Sequence, residues 1–295
     1  MYKIKGKNSL VAYVDILGYK ELINRFIKSQ DLSEAEKILN AYENACKSAI
    51  ENYKVEFGKQ GIEITYRVFS DCICIAVPFS NNQLTNFFDA LYVMGSTLTY
   101  LQHHLMDDGI FIRGGLSIGY HYSNSNVLFS EGLVKSYCIE QEVAIYPRIV
   151  VHEEIIEMFN KPIDRTLPVD IFKKLIIFDS ENIPFINLYW TLEQALDYPE
   201  RYKDVINEQT MIEAAEIVLK EKEMTEISAK DLVNDTGDPY SNLRHLPLHH
   251  IELIRNLLED NKFPEKILEK YTWLLFFLAW YYKGKQTPEF RFFDF

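Results

Sequence analysis

Residues 9–19 read SLVAYVDILGY, and residues 64–77 read ITYRVFSDCICIAV. Both stretches are rich in Val, Ile and Tyr, so both are predicted to be buried strands. Each carries one aspartate at or near its edge, Asp15 in the first and Asp71 in the second. An uncompensated buried carboxylate costs on the order of several kcal/mol. Two brought together on adjacent strands repel, and a divalent cation is the usual remedy. Mg²⁺ takes one or two carboxylates and leaves its other positions to water and substrate phosphates. A single Asp at a strand end is more often a turn former or a helix N-cap. Leu17-Gly18-Tyr19 favours the metal reading, because a glycine turn follows Asp15 and leads into the helical pattern YKELINRFIKS. A helix start offers free N–H groups and a positive dipole end to an anion. Carboxylates, turn and helix start together suit a metal-bound triphosphate.

The 295 residues suffice for one large domain, or a domain with an extension, and 47% hydrophobic residues promise an ample core. A net charge of −12 argues against a sequence-independent grip on nucleic acid, which needs a basic face. Cys46, Cys72, Cys74 and Cys138 show no zinc spacing. Cys72 and Cys74 lie two apart on one strand face, a poor disulfide geometry, so reduced thiols and a cytoplasmic location are expected. MYKIKGKNS at the N-terminus has no apolar signal-peptide core. The apolar run Trp273–Tyr282 is too short for a membrane span and is expected to be a buried helix.

Outward from the two strands, the patterning predicts helices over 19–28 and 33–53, the second capped by Asp31 or Ser33. A hairpin of strands over 62–69 and 71–78 turns near Ser70-Asp71. A helix over NQLTNFFDALYVMGSTLTYLQHHLM precedes the strand FIRGGLSIGYHY, whose glycines point to close approach of another backbone. Then come the helix EGLVKSYCIEQEVA, the short strand PRIVV, the helix HEEIIEMFN and a hairpin of KKLIIFDS with PFINLYW. This order gives an α+β domain, a sheet covered by helices, over residues 1–190. Residues 191–295 form a helical C-terminal extension, with a loop at DLVNDTGDPYSNLRHLP. His245, His249 and His250 lack a carboxylate at ligand spacing and are expected to be surface histidines.

Four segments in this order resemble the class III nucleotidyl cyclase catalytic domain. They are Asp15-Ile16-Leu17-Gly18-Tyr19, Phe69-Ser70-Asp71, Arg113-Gly114-Gly115-Leu116-Ser117-Ile118-Gly119, and Gly132-Leu133-Val134-Lys135-Ser136-Tyr137. The variant signature FSD, RGG, VKxY and YPRI most closely resembles the bacterial pyrimidine cyclases of the Pycsar antiphage system. The resemblance covers roughly residues 9–190 and implies a ferredoxin-like sheet and a head-to-tail homodimer with shared sites. It also implies that Asp15, Asp71 and the Ile16 carbonyl hold two Mg²⁺ or Mn²⁺ ions. The amides around Leu17, Gly18 and Tyr19 would cradle phosphates, and Arg67, four residues before Asp71, would read the base. Where the family has a helix Asn and a transition-state Arg, this chain has Lys135 and Ile139. Arg113, Lys135 and Arg148 are the cations available in their stead. Arg113 also suits a strand-end ion pair, Arg67 a surface ion pair, and Arg148 a turn contact to a C-terminal helix.

The function so implied is cyclisation of a nucleoside triphosphate, CTP or UTP, to a 3′,5′-cyclic nucleotide that a separate effector reads. The ribose 3′-oxygen attacks the α-phosphate and expels pyrophosphate, with no nucleic-acid or membrane partner. Two alternatives stand beside it. One is a catalytically inactive cyclase fold that binds a nucleotide or a partner protein. The other is a polymerase-like palm, which the acidic charge disfavours.

Overall fold

The computed structural model describes residues 6–29, 32–59, 61–80, 84–161, 169–197, 246–259, 264–282 and 289–293. Strand β1 (Lys7–Ile16) is central, flanked by β3 (Cys72–Pro78) and β4 (Ile112–Ser123), both antiparallel to it. β2 (Thr65–Phe69) pairs with β3 at one edge. β5 (Leu128–Ser130) pairs with the far end of β4, and β6 (Ile149–Val151) joins β4 in parallel. The hairpin β7 (Ile176–Asp179) and β8 (Pro184–Ile186) follows, and β9 (Phe290–Phe292) closes a sheet of nine strands. Their order is β2-β3-β1-β4-β6-β8-β7-β9, with β5 off the path. The architecture is α+β, a mixed sheet covered by helices.

The helices of this unit are α1 (Tyr19–Ser29), α2 (Leu32–Cys46), α3 (Asn52–Gly58), α4 (Leu84–Asp107), α5 (Glu131–Glu142) and α6 (Glu153–Phe159). The single helix expected over 33–53 is instead α2 and α3 joined by a π-helical segment, Lys47–Glu51. Ser33 lies inside α2 rather than capping it, and Asp31 lies outside the described residues. The three-residue strand β5 was not expected. It is too short to show alternation, and it forms because the Asn124 side chain accepts from the N–H groups of Asn126 and Val127 at 2.9 and 2.8 Å, closing a tight turn.

The continuous apolar reading of β1 follows from its place in the sheet. Leu10, Ala12 and Val14 face one way and Val11 the other, and all are buried. Val11 meets α5, which packs on β1 and β4, while α4 packs on β1, β3 and β8. Along α5 the residues turned to the sheet recur every fourth position, Gly132, Ser136 and Glu140, all buried. A Cβ on Gly119 would lie 2.4 Å from the Gly132 nitrogen, and one on Gly115 2.3 Å from the Ser136 carbonyl oxygen. The glycines of the β4 sequence therefore let helix and strand backbones touch. Ser136 Oγ donates to the Val11 carbonyl at 2.7 Å and shares a 2.9 Å hydrogen bond with Ser117.

The chain divides into two units, Met1–Leu188 with Arg291–Phe295, and Tyr189–Phe290. The second contains α7 (Trp190–Asp197), α8 (Leu246–Glu259) and α9 (Glu265–Tyr282). The rest of the helical stretch and loop expected over 191–245, with His245, lies outside the described residues. The expectation of surface histidines fails at His250, which is buried and hydrogen-bonded to the Tyr189 hydroxyl at 2.8 Å, while His249 is exposed. His250 shares a helix face with Ile254, so its position in the turn of α8 decides its burial. In α9, Leu274, Phe277, Leu278 and Trp280 are buried while Phe276 is 67% exposed, so this apolar run is covered on one side only. Among the described residues no helix is long and apolar enough to cross a membrane.

Candidate metal and nucleotide site

Asp15 lies one residue from the end of β1 and pairs with Cys72 on β3 and with Arg113 on β4. Phe69 pairs with Cys72, which leaves Ser70 and Asp71 as a two-residue hairpin loop. Ser70 takes φ 56, a left-handed conformation that a loop this short demands. The hairpin turn is where the sequence places it, near Ser70-Asp71, with Asp71 in the loop rather than at the start of the strand expected over 71–78. The Asp71 carbonyl accepts the Ile16 N–H at 3.2 Å, which ties the loop to the end of β1. One donor atom each of Asp15, Asp71 and Cys72 then lies within 4.8 Å of the others. Cys72 Sγ is 3.6 Å from Asp15 Oδ1 and 3.6 Å from Asp71 Oδ1, and it accepts a 2.8 Å hydrogen bond from the Tyr13 hydroxyl.

The cluster is electrostatically incomplete. Burial pushes the Asp15 carboxyl up to about 7, aided by the neighbouring charges of Asp71 and Glu140 and by a hydrogen bond with Asp71. Arg113 opposes this, but its guanidinium is shared: Nη2 lies 3.5 Å from Asp15 Oδ2 and 2.5 Å from Glu140 Oε1. Two carboxylates thus share one guanidinium, with Asp71 beside the first of them. Burial likewise pushes the Cys72 thiol up to about 12. Two hard oxygen donors in an under-neutralised acidic pocket fit a divalent cation. Asp15 and Asp71 are the residues that would hold it, with the Ile16 carbonyl beside them at the end of β1.

The phosphate side is smaller than expected. The Leu17 N–H is donated to the Phe111 carbonyl at 2.8 Å, so that amide already serves the sheet and is not part of a cradle. Gly18 turns the chain with φ 80, its carbonyl accepts the Glu21 N–H at 3.0 Å, and α1 starts at Tyr19. The N–H groups of Gly18 and Tyr19 stand at the start of the helix, where the fold supplies no carbonyl one turn earlier.

The remaining expected residues separate. Arg67 pairs with Cys74, which pairs with Tyr13, so its side chain lies on the Asp15 face of the sheet. Its Nε donates to Ser123 Oγ at 3.4 Å. Lys135 is held on α5 by Glu131 and Glu154, both at 3.1 Å, and by the Ile118 carbonyl at 3.2 Å. Arg148 is 2% exposed, ion-paired with Asp179 and stacked beside Phe185. Arg148, just before β6, is thus enclosed by Asp179 at the end of β7 and by Phe185 of β8. Ile139 packs against the Gly115 backbone.

Three residues were missed by sequence reasoning. Glu140 is visible in retrospect as the third member of the four-residue spacing from Gly132 through Ser136. Cys72 has no zinc spacing in the sequence and reads there as a reduced thiol. Tyr42, on α2, is buried with a hydroxyl that has no hydrogen-bond partner, and Cys46, Cys72, Asp71 and Asp15 add to burial in raising its proton affinity.

No family model and no curated protein matches the chain. Among solved structures it is similar to the adenylyl cyclase CyaB from P. aeruginosa, with 13% identity over 62% of this chain and 95% of that one, at a TM-score of 0.39. It is similar to the guanylyl cyclase Cya2, with 13% identity over 52% and 79% and a TM-score of 0.34. A third likeness is to the monomeric guanylyl cyclase domain of the RhoGC fusion protein from Blastocladiella emersonii, with 10% identity over 61% and 94% and a TM-score of 0.37. These likenesses are distant, and the chemistry has to be read from the residues.

Proposed function

We propose that the chain is a nucleotidyl cyclase that converts a nucleoside triphosphate, CTP or UTP, to a 3′,5′-cyclic nucleotide and pyrophosphate. The observation that carries this is the convergence of Asp15 and Asp71, from a strand end and a hairpin turn, beside the glycine turn that opens α1. Asp15, Asp71 and the Ile16 carbonyl would hold two Mg²⁺ or Mn²⁺ ions. When bound, such ions neutralise the triphosphate and make the ribose 3′-hydroxyl easier to deprotonate. The Gly18 and Tyr19 N–H groups would take phosphate oxygens. Arg113, fixed by Glu140, offsets part of the charge of Asp15 and sets where its carboxylate points. Arg67, which can only donate hydrogen bonds, favours a base edge with acceptors such as the pyrimidine O2. Cytosine adds N3 as a second acceptor on that edge.

A head-to-tail homodimer belongs to this reading. Phe129, Val134 and Tyr137 are 67%, 62% and 46% exposed on β5 and α5, an apolar surface that a second copy would cover. The second copy would bring its own Lys135 toward this site. The signal would be cytoplasmic, read by a separate effector in an antiphage response, and residues 1–190 would form the catalytic domain.

Two observations favour a second reading, an inactive cyclase fold that binds nucleotide without turnover. Ile139 is spent on packing against Gly115, and Arg113 is engaged by two carboxylates. Incubating the full chain with equimolar ATP, GTP, CTP and UTP and Mn²⁺, with products identified by mass spectrometry, decides. Cyclic CMP or cyclic UMP is the expected product. Nucleotide binding with no cyclic product establishes the second reading, and predominant cyclic AMP overturns the pyrimidine assignment.

A further inference from the structure

We infer that Ser123 is a positioning residue for Arg67, and that the arginine so held selects cytosine over uracil. The inference rests on the proposed function, in which Arg67 reads the base. Two independent observations bring the far end of β4 over that arginine. Arg67 Nε donates to Ser123 Oγ at 3.4 Å. Leu128, the β5 residue paired with Ser123, packs on Val11, Cys74 and Ala76, and Cys74 is the β3 neighbour of Arg67. The arm made by β5 and the end of β4 therefore lies on the Asp15 face of the sheet. The turn at its tip is closed by the Asn124 side chain and by the Asn124 N–H, which donates to the Val127 carbonyl at 3.0 Å. Ser123 is thus an anchor rather than a loose surface hydroxyl.

An arginine held through Nε keeps its two terminal amino groups for a ligand, side by side in one plane. Among the described residues, neither Nη of Arg67 has a partner. Ser123 blocks the side-on fork of Nε with one Nη and leaves the end-on fork of Nη1 with Nη2. Two adjacent acceptors satisfy that fork. Cytosine offers O2 and N3, whereas uracil offers O2 beside a protonated N3. A donor facing a donor leaves both without a partner. Arg67 stands two strands across from Asp15 and two residues along, about 10 Å and about 7 Å by strand geometry. A nucleotide and the arginine side chain cover that span together.

The full chain is titrated calorimetrically, in Mn²⁺, with inorganic triphosphate and with the α,β-methylene analogues of CTP, UTP and GTP, which cannot cyclise. Products of the natural nucleotides are followed by mass spectrometry. The cytidine analogue should bind about tenfold or more tighter than the uridine analogue. Ser123→Ala should narrow that ratio to within about threefold and leave triphosphate binding unchanged, which also shows that the variant is folded. Ser123→Thr restores the hydroxyl and should restore the ratio. In Arg67→Ala the ratio should be about one, and adding Ser123→Ala should change nothing further. An unchanged ratio in Ser123→Ala, or a further fall on the Arg67→Ala background, overturns the positioning role. So does an equal loss of triphosphate binding, which marks a structural defect. Tighter binding of the uridine or guanosine analogue by the wild type overturns the cytosine assignment. The expected ratios without any cyclic product remove the cyclase reading and leave this inference standing. Cyclic product with no effect of Ser123→Ala does the reverse, and a wild type that binds no analogue removes both.

Discussion

Arg113 and Glu140 form a close ion pair, Nη2 to Oε1 at 2.5 Å, with the carboxylate completely buried. Glu140 thereby holds the guanidinium partly away from Asp15, which it reaches only at 3.5 Å. Glu140→Gln should release Arg113 onto Asp15 and put it in competition with the cation. Mn²⁺ affinity should fall, and stability should drop by about 3 kcal/mol because one partner of a buried pair is lost. Mn²⁺ titration and urea unfolding of the same variant check both. Tighter Mn²⁺ binding would show that Arg113 is not a competitor.

Asp15→Asn and Asp71→Asn should each reduce product formation by about two orders of magnitude or more, because each removes a charged ligand from the site. Both should stay folded, since relief of carboxylate repulsion offsets the lost group. Turnover assays with Mn²⁺ and circular dichroism are the measurements. Wild-type turnover in Asp71→Asn would rule out the metal assignment.

The Asp15 carboxyl, held at about 7 against an ordinary 3.8, binds a proton in the fold that the unfolded chain releases. The stability this provides is complete below about pH 4 and is lost as pH rises through about 7. In EDTA, the urea midpoint should therefore fall between about pH 5 and pH 8, and Asp15→Asn should flatten that fall. Mn²⁺ should restore the midpoint at the alkaline end, because it replaces the proton as the partner of the carboxylate. A wild-type slope retained in Asp15→Asn would assign the dependence to another group.

Gly119→Ala places a methyl group 2.4 Å from the Gly132 nitrogen, backbone against backbone, so α5 must lift from β4. The expected loss is at least about 2 kcal/mol, in the range for overpacking a close contact. Gly58→Ala, with nothing within 4 Å, is the control and should leave the unfolding midpoint nearly unchanged.

Arg148→Met should separate structure from chemistry. Removing one partner of its buried pair with Asp179 should cost about 3–5 kcal/mol, while the Mn²⁺ titration stays as in the wild type. A variant of wild-type stability with altered metal binding would return Arg148 to the site.

Much of the sheet was legible because β1 and β3 are buried over most of their length and read as unbroken apolar runs, whereas β2, also expected to be buried, leaves Val68 and Phe69 exposed at the sheet edge. Asp15 and Asp71 stood out because carboxylates are rare in such runs. What stayed hidden was decided by partners distant in sequence. The amide of Leu17 looked free until Phe111 claimed it. The ion pair of Arg148 with Asp179, 31 residues away, has no signature in its own segment. The turn at Ser70-Asp71 was legible from its residue types, while the left-handed Ser70 that sets its geometry leaves no trace in hydrophobic periodicity. Cys72 gave no signal beside the aspartates because it forms no motif within its own segment.

The contact of Gly132 and Ser136 with Gly119 and Gly115 works as a ratchet with no free teeth. With no side chains between the backbones at these points, α5 cannot slide or roll on β4, and the two move as one body. The next residue on the same face is Glu140, which holds Arg113 of β4, so a push on the outer side of α5, at Val134 or Tyr137, moves the helix and the guanidinium together rather than parting one from the other.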